Sequence, residues 1–110
     1  MATLLAKMNE EHARRNELAR KETYRCLRAA LEQLLPRQSE IWVFGSLLRP
    51  GRFKPHSDID LAVTRLPSGR TEAWLESELA LRLDRRVDVL NLHETGLRAK
   101  IEQTGERWTL

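Results

Sequence analysis

A chain of 110 residues has room for one hydrophobic core and not for two separate domains. Its 19 basic and 16 acidic residues leave a formal charge of +3, an ordinary mixed surface on which nucleic-acid binding cannot be argued. The lone cysteine, Cys26, excludes an intrachain disulfide, no apolar run is long enough to cross a membrane, and the opening residues lack the order of a secretory signal, so a cytoplasmic protein is expected.

The first third reads as helix. Leu27, Leu31, Leu34 and Leu35 recur at helical spacing before Pro36 ends the run, and this part is expected to pack on a sheet. From Asn9 to Arg25 the apolar residues are Ala13, Leu18, Ala19 and Tyr24, scattered among Glu, Arg, Lys and Asn. Such a face buries little by itself. A solvated, partly frayed helix is expected there, with a helical arm that docks on another chain as the alternative. Tyr24 and Cys26 read as packing or surface residues of that helix.

Ile41-Trp42-Val43-Phe44 is a continuous run of strand-favouring residues, consistent with a strand covered on both faces, and it leads directly into Gly45-Ser46. A small residue followed by a hydroxyl at a strand's end lets backbone N–H groups approach a phosphate. A helical turn begun by Leu47-Leu48-Arg49 would add its positive end. Arg49, Arg52 and Lys54 would supplement that field, although a loop cation taken singly is more often nothing else. Residues 50–57 hold two prolines and a glycine and read as a turn-rich loop containing His56. It returns the chain to a second strand over 57–63, so that strand, loop and strand make a long hairpin.

Pro67-Ser68-Gly69 ends the second strand. Residues 71–83 then read as a helix carrying Trp74, Leu75, Leu79 and Leu83, with Glu72, Glu76, Glu78 and Arg82 outside, placed to cover one sheet face. Residues 86–92 read as another apolar strand, with Val87 and Val89 on one face and Asp88 on the other. His93 is expected at the start of a last helix.

Gly45-Ser46 is followed, after eleven residues, by Asp58-Ile59-Asp60. Residues i and i+2 of a strand point to one face, so Asp58 and Asp60 project together while Ile59, Leu61 and Val63 face the core. Two such charges resist ionising side by side unless a cation or several donors neutralise them. Magnesium suits them best, since it takes carboxylate, water and phosphate oxygens with little other protein help. A soft metal does not suit, with one cysteine and with His12, His56 and His93 unclustered. A phosphate-sized turn beside paired acids points to chemistry on a nucleoside triphosphate. The charge of Asp88 in so apolar a strand also needs a reason. A salt bridge is the plain one, with Arg85 preferred over Arg86 as its partner. If this strand lies beside the Asp58 strand, three carboxylates converge, as in-line displacement at phosphorus with a pair of magnesium ions requires.

Taken together, Val43-Phe44-Gly45-Ser46, then Ser57-Asp58-Ile59-Asp60-Leu61-Ala62-Val63, then Arg86-Val87-Asp88-Val89-Leu90 resemble the nucleotidyltransferase superfamily related to DNA polymerase beta, and within it the minimal nucleotidyltransferase (MNT) family. A lone Gly-Ser or Asp-x-Asp is a weak signal; their order, strand contexts and third acid make the set specific. The likeness runs from about residue 41 to the C-terminus, where Leu97, Ile101, Gly105, Glu106 and Trp108 resemble the family's closing helix and glycine. One departure is that the loop after Gly45-Ser46 is a residue longer than the family's pattern.

The resemblance implies a two-layer α/β domain over residues 1–110, with a helical segment at 1–36 and a catalytic core at 41–110. Its short mixed sheet would carry helices packed on one face and the acids on the other. Gly45, Ser46 and Arg49 would bind the nucleotide phosphates, Asp58 and Asp60 would bind two magnesium ions, and Asp88 would complete the metal site and favour deprotonation of the attacking hydroxyl. Relatives acting on antibiotics or transfer RNA append a domain for the acceptor, so here another molecule is expected to present it. Stand-alone members are commonly antitoxins paired with an all-helical HEPN ribonuclease toxin. The implied function is therefore Mg²⁺-dependent transfer of AMP from ATP to a hydroxyl of such a toxin, a tyrosine. Two other readings stay open: an antitoxin that neutralises by binding alone, and the catalytic subunit of a two-chain small-molecule nucleotidyltransferase. Self-association and a hetero-oligomer with the toxin are both compatible with the chain.

Overall fold

The computed structural model describes residues 3–110. Thr3 starts the first helix, its hydroxyl accepting the Ala6 N–H at 3.1 Å, and α1 (Leu4–Leu34) runs until Pro36, which has no N–H to continue it. The polar stretch from Asn9 to Arg25 is thus helical throughout. At 31 residues α1 is about 46 Å long. Only its second half packs: Leu27, Ala30 and Leu31 are buried, whereas Leu4, Leu5, Met8 and Leu18 face solvent. The first long-range tie is Arg20, which donates to the Leu47 carbonyl at 2.9 Å while paired with Glu17.

Four strands follow from short apolar runs: β1 (Glu40–Phe44), β2 (Ile59–Val63), β3 (Val87–Asn91) and β4 (Glu106–Thr109). They form one mixed sheet in the order β3-β2-β1-β4, with β1 antiparallel to β2 and β4, and β2 parallel to β3. The β1–β2 hairpin is as the sequence suggests; β4 was not anticipated. α2 (Glu72–Leu83) is capped by Thr71, whose hydroxyl accepts the Trp74 N–H at 3.1 Å, and it supplies the crossover a parallel pair needs. Its Glu76 is not simply outside, because the carboxylate accepts the Val89 N–H at 3.0 Å and so covers part of the exposed β3 edge.

Strand alternation divides the sheet into two faces. Ile41, Val43, Ile59, Leu61, Val63, Val87, Val89 and Trp108 meet α1 and α2 in the main core. The other face carries Trp42, Phe44, Ala62 and Leu90, covered by Ile101 of a short third helix, α3 (Arg98–Thr104). Three helices therefore pack against the four-stranded mixed sheet, α1 and α2 on one side and α3 across part of the side that bears Asp60 and Asp88. α3 starts at Arg98, so His93 lies in the turn after β3 and not at a helix start. Gly105 lets α3 pass straight into β4, since a Cβ there would stand 2.6 Å from the Ile101 carbonyl and 2.9 Å from that of Val43.

Candidate active site

In-register pairing of β2 with β3 sets Asp60 directly beside Asp88, both on the face away from the main core. Asp58 lies just ahead of β2, two residues before Asp60, so all three carboxylates gather at one end of the sheet. The loop that delivers Asp58 is held by Arg85, whose guanidinium donates to the Ser57 carbonyl at 2.7 Å and the Lys54 carbonyl at 3.1 Å and lies over the buried Phe53 ring. Burial pushes the pKa of Arg85 down.

Arg85 is thus not the partner of Asp88. That partner is Arg86, whose Nε lies 3.3 Å from Asp88 Oδ1 and 3.9 Å from Asp58 Oδ2. The reason is the period of a strand: residues 86 and 88 are two apart and share a face, whereas 85 points away. Asp60 has no ion-pair partner among the described residues. Its carboxyl is held above the usual range by burial first, then by the negative charges of Asp88 and Asp58, with Arg86 only partly offsetting them.

Pairing of β1 with β2 puts Phe44 opposite Asp60, and the chain leaves β1 into a 3-10 turn, Gly45–Leu48, that starts against that carboxylate. Gly45 has φ +82°, and a Cβ on it would stand 2.5 Å from Asp60 Oδ2. Glycine is needed there on both counts. The turn begins two residues earlier than the expected start at Leu47, and Arg49 follows it as an exposed cap. Gly45, Ser46, Arg49, Arg52 and Asp60 line one side of a cleft of about 440 Å³ whose other wall is α3, through Lys100 and Thr104. Lys54 is not among the lining residues. Sequence reasoning missed Lys100, because nothing in the chain's pattern says that α3 folds back beside the Gly45 turn. A larger hollow of about 610 Å³ lies at the opposite end of the sheet, between residues 36–40, 64–67 and His93, and holds none of these acids.

Among the described residues, no three or more His, Cys, Asp and Glu side chains form a ready-made cage for a metal. The donor set still suits magnesium. Hard oxygens of Asp58 and Asp60 stand half-open to solvent beside a basic cleft, and magnesium keeps waters and takes phosphate oxygens instead of seeking a protein cage.

Residues 30–107 match the family described as polymerase beta, nucleotidyltransferase, a family that usually employs a nucleoside triphosphate and a divalent metal. No curated protein matches the chain. Among solved structures it is similar to a chain described as "Crystal structure of the toxin-antitoxin with AMP-PNP", with a TM-score of 0.61 and 25% identity, over 78% of this chain and 73% of that one.

Proposed function

The chain belongs to the polymerase beta nucleotidyltransferase family, and from that premise we propose that it is a magnesium-dependent antitoxin that transfers AMP from ATP to a hydroxyl of its toxin. The observation that carries this reading is the facing of Asp60 and Asp88 across β2 and β3, with Gly45 turned against the Asp60 carboxylate. Similarity to a chain from a toxin–antitoxin structure containing AMP-PNP supports both the nucleotide and the kind of partner. The narrower identity, an all-helical HEPN ribonuclease modified on tyrosine, rests on the resemblance of the motifs to the MNT family. The catalytic set lies within residues 41–110.

In this proposal Asp58, Asp60 and Asp88 would hold two magnesium ions, which when bound would supply Lewis-acid stabilisation of charge on the attacking and leaving oxygens. Gly45 and Ser46 hold the β and γ phosphates through the turn, with Arg49 beside them. Arg52 and Lys100, in the same cleft, place positive charge where the departing pyrophosphate accumulates negative charge. Asp88 accepts the proton of the acceptor hydroxyl as its oxygen attacks the α-phosphorus. The bond from the α-phosphorus to the bridging oxygen breaks, and pyrophosphate departs along the basic cleft.

The test is transfer of label from α-labelled ATP to the product of the neighbouring gene, with Mg²⁺, using the wild-type chain, Asp58→Asn and Asp60→Asn. Label on the neighbour's tyrosine that both substitutions abolish is the expected result. Neutralisation of the neighbour that survives both substitutions would sink the catalytic reading in favour of binding alone. Label found on a small molecule in place of the protein would favour a two-chain transferase.

A further inference from the structure

Three carboxylates at one end of the sheet leave a local excess of negative charge that something must balance before any metal arrives. Among the described residues, Arg86 is the one basic side chain within ion-pair distance of any of them. It spans two at once, Asp88 at 3.3 Å and Asp58 at 3.9 Å. Its neighbour Arg85 is committed elsewhere, to the Lys54 and Ser57 carbonyls. Arg49, Arg52 and Lys100 line the cleft beside the Gly45 turn and form no ion pair with the acids.

We infer that Arg86 is a resident counter-ion that competes with divalent metal for Asp58 and Asp88, and that metal loading displaces it. This rests on the acid-site reading above and adds a role for a residue that reading leaves idle. A guanidinium keeps its charge throughout the working pH range, so it leaves the acids only by moving. It is free to move: its side chain is 74% exposed, and it also borders a shallow hollow containing Glu76 and Ser77. A dication brought to Asp58 and Asp88 offers twice the charge at shorter range and wins the exchange. The exchange has a consequence for Asp88, whose Oδ1 takes up an acceptor's proton only once the Arg86 Nε has released it. Arg86 is thus a positioning residue that holds the metal-free site partly neutralised, with Asp88 out of action.

Both pairs are exposed and screened by solvent, so the expected effect on metal affinity is small, roughly two- to fivefold. The experiment is titration of Mn²⁺ into the nucleotide-free protein at low ionic strength, read by electron paramagnetic resonance and by thermal unfolding. It compares wild type, Arg86→Gln, Arg86→Lys and Asp60→Asn. Arg86→Gln should bind Mn²⁺ about two- to fivefold more tightly than wild type and gain more thermal stability from it, while Arg86→Lys, which keeps the charge, stays near wild type. Equal or weaker Mn²⁺ binding in Arg86→Gln overturns the inference while leaving the acid site standing. Arg86→Lys binding as tightly as Arg86→Gln overturns it too, since charge would then not be what competes. Absence of any Mn²⁺ binding that Asp60→Asn removes fails the acid-site reading itself, and this inference with it.

Discussion

At Gly45 a backbone turn and a carboxylate claim the same space, which fixes what a substitution there must do. Gly45→Ala would force a side chain into the left-handed region at φ +82° and push its Cβ to 2.5 Å from Asp60 Oδ2. The expected loss is about 2 kcal/mol, seen as a lower urea midpoint at unchanged m-value. Asp60 gives the opposite sign. Its folded pKa is raised above its ordinary value of 3.8, so its contribution to stability is complete at acid pH and is lost as pH rises through the folded value. Asp60→Asn removes that loss, and the metal-free variant should be more stable than wild type at neutral pH, by less than about 1 kcal/mol because solvent screens the half-exposed carboxyl. The gain should fade as pH falls through the raised folded value, where wild-type Asp60 takes up its proton; a variant equally or less stable at neutral pH would contradict the electrostatic account. The acids and the glycine were legible because the two-residue period of a strand and a bare Gly-Ser are both local signals. The partner of Asp88 was misjudged although the same period names it. Lys100 was illegible for a different reason, since its place opposite Arg52 depends on how a distant helix folds back.

The elements divide in the same way. α1, α2 and the strands β1 to β3 follow from periodicity, from Pro36 at the end of α1, and from apolar runs. β4 was not legible: Glu106-Arg107-Trp108-Thr109 buries only Trp108, and its pairing with β1 is a long-range event that no local pattern announces. Side-chain direction was lost for a similar reason at Glu76, which reads as a surface acid and yet accepts the Val89 N–H of an edge strand. Within α1 the two halves differ in what holds them. Leu27, Ala30 and Leu31 are buried against the sheet, while the part before Arg20 relies on its own hydrogen bonds and on exposed pairs such as Glu11–Arg15 at 3.7 Å. Such pairs add a few tenths of a kcal/mol each, little against the cost of ordering a solvated helix. Hydrogen exchange should therefore show amides of residues 8–18 exchanging at least about a hundredfold faster than those of 27–34, the latter approaching global stability. Equal protection along the helix would mean that its first half packs on something, a second copy included.

On the scale of the whole molecule the candidate site is an assembly of parts that are weak alone. Asp58 arrives on a loop pinned by Arg85, Asp60 and Asp88 on parallel strands joined through α2, and the basic cleft closes only when α3 comes back beside the Gly45 turn. A ligand that touches these parts together binds the folded chain and not the unfolded one, so it must stabilise the whole domain. With Mg²⁺ and AMP-PNP at a hundred times the dissociation constant, the added stability is about 2.7 kcal/mol. For a domain of this size that is a rise in Tm of roughly 10 °C, measurable by calorimetry. Asp60→Asn makes the measurement decisive, because its two effects have opposite signs: the variant begins more stable than wild type and should gain almost nothing from the same ligand. Chelating the metal should likewise erase most of the wild-type rise, because without it the triphosphate meets acids that one arginine only partly offsets. A full rise in Asp60→Asn, or one indifferent to chelation, would place the nucleotide somewhere other than beside these acids.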